Sequence, residues 1–505
     1  TVVRLLLLAS LADGQWINGR PPGGLANGPL LRSPSQVTLF PGQTLTTFSQ
    51  KFDHFNPLDQ RRWNQRVYTN KIHTNRDISS DQDIIFLMIG GEGREAPNWT
   101  GDDNIMFMQY AKKFGATVFD IEHRFFGDSR PINDMTTASL RLLTTEQALA
   151  DIAYFITVMN QQYKFENPKW ITFGGSYPGA LSAMFRSKYP ELTAGAVASS
   201  APLDLALDFY QYTDVIESVL KQTPIENAQN LRCDELVRQA FDRMLQLSLT
   251  HEGRKTLNEK LKLNPPFDGS TTKADITNLF ANLYYYHQGM IQYTYDGFSE
   301  GSKKYATAAQ LCRIYNQDKD SVDNVWELLV WYNQYWNGVN LTAFDNSYGD
   351  MIKGLAETDY DKLGDGGASA RGWMWLCCNE MGWMQTTDTD SIFGSTLPIN
   401  YFYDMCIDMF GDQMNAVRAR DNNRAAEKYY CGLDDFDATN LCLPNGDFDP
   451  WSSLGYFKAD KAKNIVPVVI EGAAHCSDMY PPYDDEPTAL PAARTKIEDF
   501  LEGII

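Results

Sequence analysis

The stretch W-I-T-F-G-G-S-Y-P-G-A-L-S-A-M-F, residues 170–185, decides the fold. Trp170 to Phe173 is a short apolar run of the kind a strand shows when both its faces are buried. It ends in Gly174-Gly175, and Ala180, Ala183 and Met184 then face one side of a helix. A strand that turns through two glycines and a serine into a helix is an elbow, which lifts the Ser176 hydroxyl above the end of a parallel sheet. Gly174, Gly175 and Gly179 permit so tight a turn. The pattern departs from G-x-S-x-G, because Pro178 stands where the second glycine belongs and Gly179 follows one place later. Taken alone, Ser176 reads either as a structural turn or helix cap or as a nucleophile.

Working outward, Ile84 to Ile89 is a second buried-strand run, ending in Gly90-Gly91, and Thr117 to Ile121 is a third, followed by H-R-F-F-G-D-S-R-P. Between the third run and the elbow, Thr144 or Thr145 caps a helix whose Ala148, Ile152, Phe155, Ile156 and Met159 share one face. Strands alternating with helices predict an α/β protein with a mainly parallel sheet. After Ala201-Pro202 the chain changes to long, aromatic-rich amphipathic segments up to about residue 430, the pattern of a helical insertion. Strand patterns return at Asn440 to Leu443 and Ile465 to Ile470. The expected organisation is therefore a core at 46–203, a helical cap at 204–432 and the rest of the core at 433–505.

Composition narrows the function. The 505 residues carry a net charge of −20, a surface that repels nucleic acid and anionic lipid. No apolar run is long enough to span a membrane. Residues 1–14 place Arg4 before Leu5 to Leu8 and small residues around Ala12, the layout of a secretory signal; residues 15–45 are rich in Gly and Pro and read as an extended arm. Export makes the sequons at Asn98 and Asn340 candidate glycosylation sites. It also makes disulfides the natural use of eight cysteines that lack C-x-x-C spacing. No H-E-x-x-H occurs and the six histidines are not clustered, so no metal or cofactor is expected.

A serine hydroxyl needs a base, and in a hydrolase of this architecture the acid and then the histidine follow the serine, each after a late strand. The strand at 440–443 is followed by Asp447 and Asp449, and the strand at 465–470 by His475. His54 and His73 precede the sheet, His123 follows an early strand, and His251 and His287 lie in the insertion, so position selects His475. Either aspartate can orient the imidazole. The backbone N–H of Tyr177 is the expected first oxyanion donor, and Gly91, in the G-G-E-G of residues 90–93, the second.

The motifs G-G-S-Y-P-G (174–179), E-H-R-F-F-G (122–127), L-T-T-E-Q-A-L-A-D (143–151), N-G-D-F-D-P-W (445–451) and G-A-A-H-C-S-D-M-Y-P-P (472–482) span nearly the whole chain. In this order they resemble the serine peptidases typified by lysosomal Pro-X carboxypeptidase, dipeptidyl peptidase II and thymus-specific serine protease. The resemblance implies an α/β-hydrolase core with a helical cap, selects Asp449 over Asp447, and implies peptide substrates cut by a carboxypeptidase or dipeptidyl peptidase activity in a secreted or endolysosomal setting. It also implies the disulfides Cys233 with Cys312 and Cys378 with Cys406, leaving Cys377, Cys431, Cys442 and Cys476 unassigned. The G-G-E-G motif and the His475-Cys476 pair look like the thymus-specific branch, whereas the post-proline enzymes carry an asparagine in the first motif, so a requirement for proline is left open. A homodimer is left open too. Two rival readings share these residues: an esterase or lipase on the same scaffold, and a non-catalytic binding protein that retains the fold.

Overall fold

The computed structural model describes residues 38–74, 82–225, 231–294, 307–317, 319–337, 340–430 and 432–505. The signal at 1–14, most of the arm at 15–45 and Cys431 lie outside the described residues. Eight strands form one sheet: β1 (Gln43–Lys51), β2 (Arg62–Asn70), β3 (Ile84–Ile89), β4 (Thr117–Ile121), β5 (Lys169–Gly175), β6 (Gly195–Ser199), β9 (Leu441–Gly446) and β10 (Ile465–Ile470). The two-residue strands β7 (Leu263–Asn264) and β8 (Phe344–Asp345) pair with each other in the insertion. The sheet order is β1-β2-β4-β3-β5-β6-β9-β10. All pairings from β4 to β10 are parallel, and β2 joins antiparallel to β4 and to β1.

The apolar runs behave as read: β3 to β6 are buried almost throughout, with helices on the sheet faces. The helix Thr145–Tyr163 starts at an N-cap Thr144 whose side chain accepts the Gln147 N–H, and Ile152, Phe155, Ile156 and Met159 are buried as expected. Two boundaries move. β1 begins at Gln43, inside the stretch expected to be an unstructured arm, and the strand expected at 440–443 runs on to Gly446. This is an α/β-hydrolase architecture in which a sheet assembled from both ends of the chain carries a long helical insertion.

Both cystines sit within that insertion. Cys233 at the start of the helix Cys233–Ser248 is bonded to Cys312, and Cys378 to Cys406 in the helix Ile399–Phe410. Cys442 and Cys476 are buried thiols, and Cys377 is buried as well. Among the described residues, no helix is long and apolar enough to cross a membrane. Asn340 is exposed; Asn98 is half-buried, with Thr100 of its sequon accepting a hydrogen bond from Gln43.

The Cys233–Cys312 bond spans a sequence separation of 79 residues. Replacing both cysteines by serine is expected to lower the free energy of unfolding by about 4 kcal/mol, the loop-entropy value for so long a closed loop, read as a lower urea midpoint.

Candidate active site

At the end of β5 the chain enters the helix Tyr177–Lys188 through Ser176, whose φ of 65° and ψ of −131° lie in a region that non-glycine residues rarely occupy. Its N–H donates to the Ser199 carbonyl at 2.9 Å. A serine at a helix start ordinarily spends its side chain on a cap. The Ser176 side chain makes no capping bond. The turn is possible only with glycine at 174, where a Cβ would stand 2.2 Å from the Pro178 carbonyl oxygen. Pro178 occupies the first turn of the helix, where a missing N–H breaks no helical bond, and it packs on the Gly91 backbone.

The last two strands deliver the other side chains. Asp449 follows β9 and His475 follows β10, both fully buried. Asp449 Oδ2 lies 2.8 Å from His475 Nδ1, and Asp449 Oδ1 accepts the Trp451 N–H at 2.9 Å. Nδ1 therefore carries the proton donated to the carboxylate, which leaves the Nε2 lone pair as the basic site. Burial disfavours the imidazolium, but the Asp449 carboxylate and the adjoining Cys476 sulfur together outweigh it and hold His475 well above its ordinary value. Asp447 turns away, its carboxylate accepting the Gly472 N–H at 2.7 Å.

The serine and histidine turns meet at Ser199 and Ser200: the Cys476 N–H donates to Ser200 Oγ at 2.9 Å, next to the carbonyl that holds Ser176. Ser176 and His475 are not hydrogen-bonded to each other. His475 Nε2 is buried with no partner, so the hydroxyl–imidazole contact of the expected constellation is open. Two other His–Asp pairs differ in kind. His54 meets Asp151 at 2.7 Å, but the same carboxylate is gripped twice by the Arg124 guanidinium, and His73–Asp103 is a surface pair.

Tyr177 begins the helix, and an N–H at that position has no acceptor within it. Its hydroxyl is 3.2 Å from His123 Nε2. The His123 Nδ1–H donates to the Arg124 carbonyl at 2.8 Å, so Nε2 is the acceptor for the phenol, and burial pushes this imidazole down to about 4. Gly91, expected as the second oxyanion donor, has a partner within its own loop. Its N–H donates to Glu95 Oε1 at 3.2 Å, a buried side chain of the same loop. Glu95 and His123 were invisible as site neighbours in the sequence, since neither follows a late strand.

The insertion closes over this edge. Trp373 and Trp383 stack on each other at 5.9 Å and lie 6.2 and 6.3 Å from the Tyr177 ring, while Trp451 lies 5.7 Å from Trp383 and 6.3 Å from His475. Trp373 thus abuts the residue after Ser176. Tyr284 and Trp375 are buried. Among the described residues no group of His, Cys, Asp or Glu could hold a metal ion.

Fold and strand-end loops together define an α/β-hydrolase with a helical cap. The family profile described as "Serine carboxypeptidase S28" matches residues 50–497, and the chain belongs to this family of serine peptidases. It is 49% identical over 92% of its length to "Putative serine protease F56F10.1" of Caenorhabditis elegans, covering 85% of that protein. It is 29% identical to the thymus-specific serine protease of Mus musculus, over 90% of this chain and 86% of the other. To the lysosomal Pro-X carboxypeptidase of Pongo abelii it is 28% identical, over 97% and 94%.

Several buried carboxyls surround the site. Burial, with Glu122 nearby, pushes Glu95 up to about 8, and burial pushes Glu380, which accepts the Thr145 N–H, up to about 7. Such groups keep protons that the unfolded chain has released, so their stabilising effect is full below about pH 4 and is lost as pH rises through the folded values. His123 and His287, both pushed down by burial to about 4, act in the opposite sense, but only below about pH 6.5. The melting temperature is therefore expected to fall between pH 6.5 and pH 8, and Glu95→Gln to flatten that fall in a thermal-shift series.

Proposed function

We propose that this protein is an exopeptidase that cleaves peptide bonds through an acyl-enzyme at Ser176. The His475 Nε2 takes the hydroxyl proton and later returns it to the leaving amine, and Asp449 holds the tautomer and stabilises the imidazolium. The observation that carries this reading is the fully buried Asp449–His475 pair, whose Nε2 is left open and whose loop bonds to Ser200, next to the Ser199 carbonyl that receives the Ser176 N–H. The Tyr177 N–H is the oxyanion donor, positioned by the first turn of the helix.

Membership of a serine peptidase family supports amide rather than simple ester substrates. The aromatic wall of Trp373, Trp383 and Trp451 over the serine edge favours a narrow site reached by a chain end, as does the name of the carboxypeptidase relative. Two disulfides and that relative's lysosomal name support a secreted or endolysosomal location.

A fluorophosphonate probe is expected to label Ser176 and no other residue. Ser176→Ala should abolish labelling and lower kcat by roughly a factor of 10⁶, and Asp449→Asn by about 10⁴. Labelling that persists in Ser176→Ala would remove the assignment. Because the base must be neutral, kcat/KM should fall as pH drops through the His475 titration. Peptides blocked at one end or the other, read by mass spectrometry, test the exopeptidase reading: cleavage unaffected by both blocks contradicts it.

A further inference from the structure

The cap supplies one residue that reaches both loops of the relay, one by its side chain and one by its main chain. Gln292 is the last residue of the helix Lys273–Gln292 and is buried. Its backbone carbonyl accepts the His475 N–H at 3.0 Å. Its side-chain Oε1 accepts the Trp451 indole N–H at 3.2 Å and the Tyr212 hydroxyl at 2.6 Å, and its Nε2 donates to the Tyr293 hydroxyl at 3.1 Å. Trp451 is the residue whose backbone N–H holds Asp449 Oδ1. The rings of Tyr293 and Trp451 lie 6.0 and 6.3 Å from the His475 ring.

We infer that Gln292 is a positioning residue of the reaction, and that the cap is part of the catalytic scaffold as well as its cover. The inference rests on the Ser176–His475–Asp449 reading. β9 and β10 fix the roots of the acid and histidine loops, but a loop tip of several residues beyond a strand end has freedom of its own. One residue, held by its helix, removes that freedom from both tips at once. Through its main chain it fixes the height of His475, and through Oε1 it fixes the Trp451 indole and with it the turn that presents the Asp449 carboxylate. A base displaced by about an ångström loses its reach to the serine proton.

Gln292→Met keeps the length of the side chain and removes its hydrogen bonds; Trp451→Phe removes the indole donor from the other side. In each variant, kcat on an unblocked peptide and the rate of fluorophosphonate attachment to Ser176 are expected to fall together by about tenfold, with KM changed by less than about twofold. The double variant should be no slower than the slower single one by more than about threefold, since both cut one link. The pH midpoint of the labelling rate should shift in both variants, a change that loss of fold stability alone does not produce. Labelling at the wild-type rate in folded Gln292→Met overturns the inference, as do effects that multiply in the double variant or a raised KM with unchanged labelling. Should Gln292→Met fail to fold, Trp451→Phe carries the same test alone. Wild-type protein that is not labelled at Ser176 defeats the underlying reading instead.

Discussion

A carboxylate and an imidazole removed from water are tolerated only when their polar atoms are engaged, because desolvating them is costly. Asp449 and the Nδ1 and main chain of His475 meet that demand through each other, through the Trp451 N–H and through main-chain bonds, and His475 Nε2 alone is left open. Their pairing in turn requires that β9 and β10 lie side by side, that the turns after them pack on the turn after β6, and that the insertion come down on the same edge. The hydrogen bonds of the Cys476 N–H to Ser200 and of the His475 N–H to Gln292 are the two faces of that requirement, one from the core and one from the cap.

The insertion is tied in by more than apolar contact. Tyr177 stands with its backbone at the serine elbow and its ring between His123 of the core and Trp373 and Trp383 of the cap. The Arg94 guanidinium binds Asp128 of the core and Asp365 of the cap at 2.5 to 3.0 Å, two residues from the glutamate of G-G-E-G. Cap and core therefore share the immediate surroundings of the site, and a displacement of the cap would be felt at the Tyr177 ring.

Much of this was legible in the residues. β3, β4 and β5 are apolar runs because they are buried on both faces, and the elbow shows itself because close packing leaves only glycine at 174. β1 and β2 were not legible. Their sequences, Q-T-L-T-T-F-S-Q-K and R-W-N-Q-R-V-Y-T-N, are polar, yet β2 lies inside the sheet with Gln65, Arg66 and Asn70 buried. Gln65 donates to the Glu122 carbonyl, Arg66 to the Glu122 carboxylate and Asn70 to the Thr100 carbonyl. A strand whose polar side chains find partners on distant segments gives no hydropathy signal, because the partners, not the strand, make burial tolerable.

The buried strand runs β3, β4 and β5, the glycine-bounded elbow and the placing of a histidine after the last strand follow from the chain itself, because short-range periodicity and glycine placement are properties of neighbouring residues. The tertiary structure alone decided where hydrogen bonds between remote segments go. It turned the Gly91 amide toward Glu95, gave Asp151 to Arg124 as well as to His54, and brought Gln292 from the insertion onto two loops more than 150 residues away. A hydrogen bond depends on distance and direction in space, and no local pattern of residues records either.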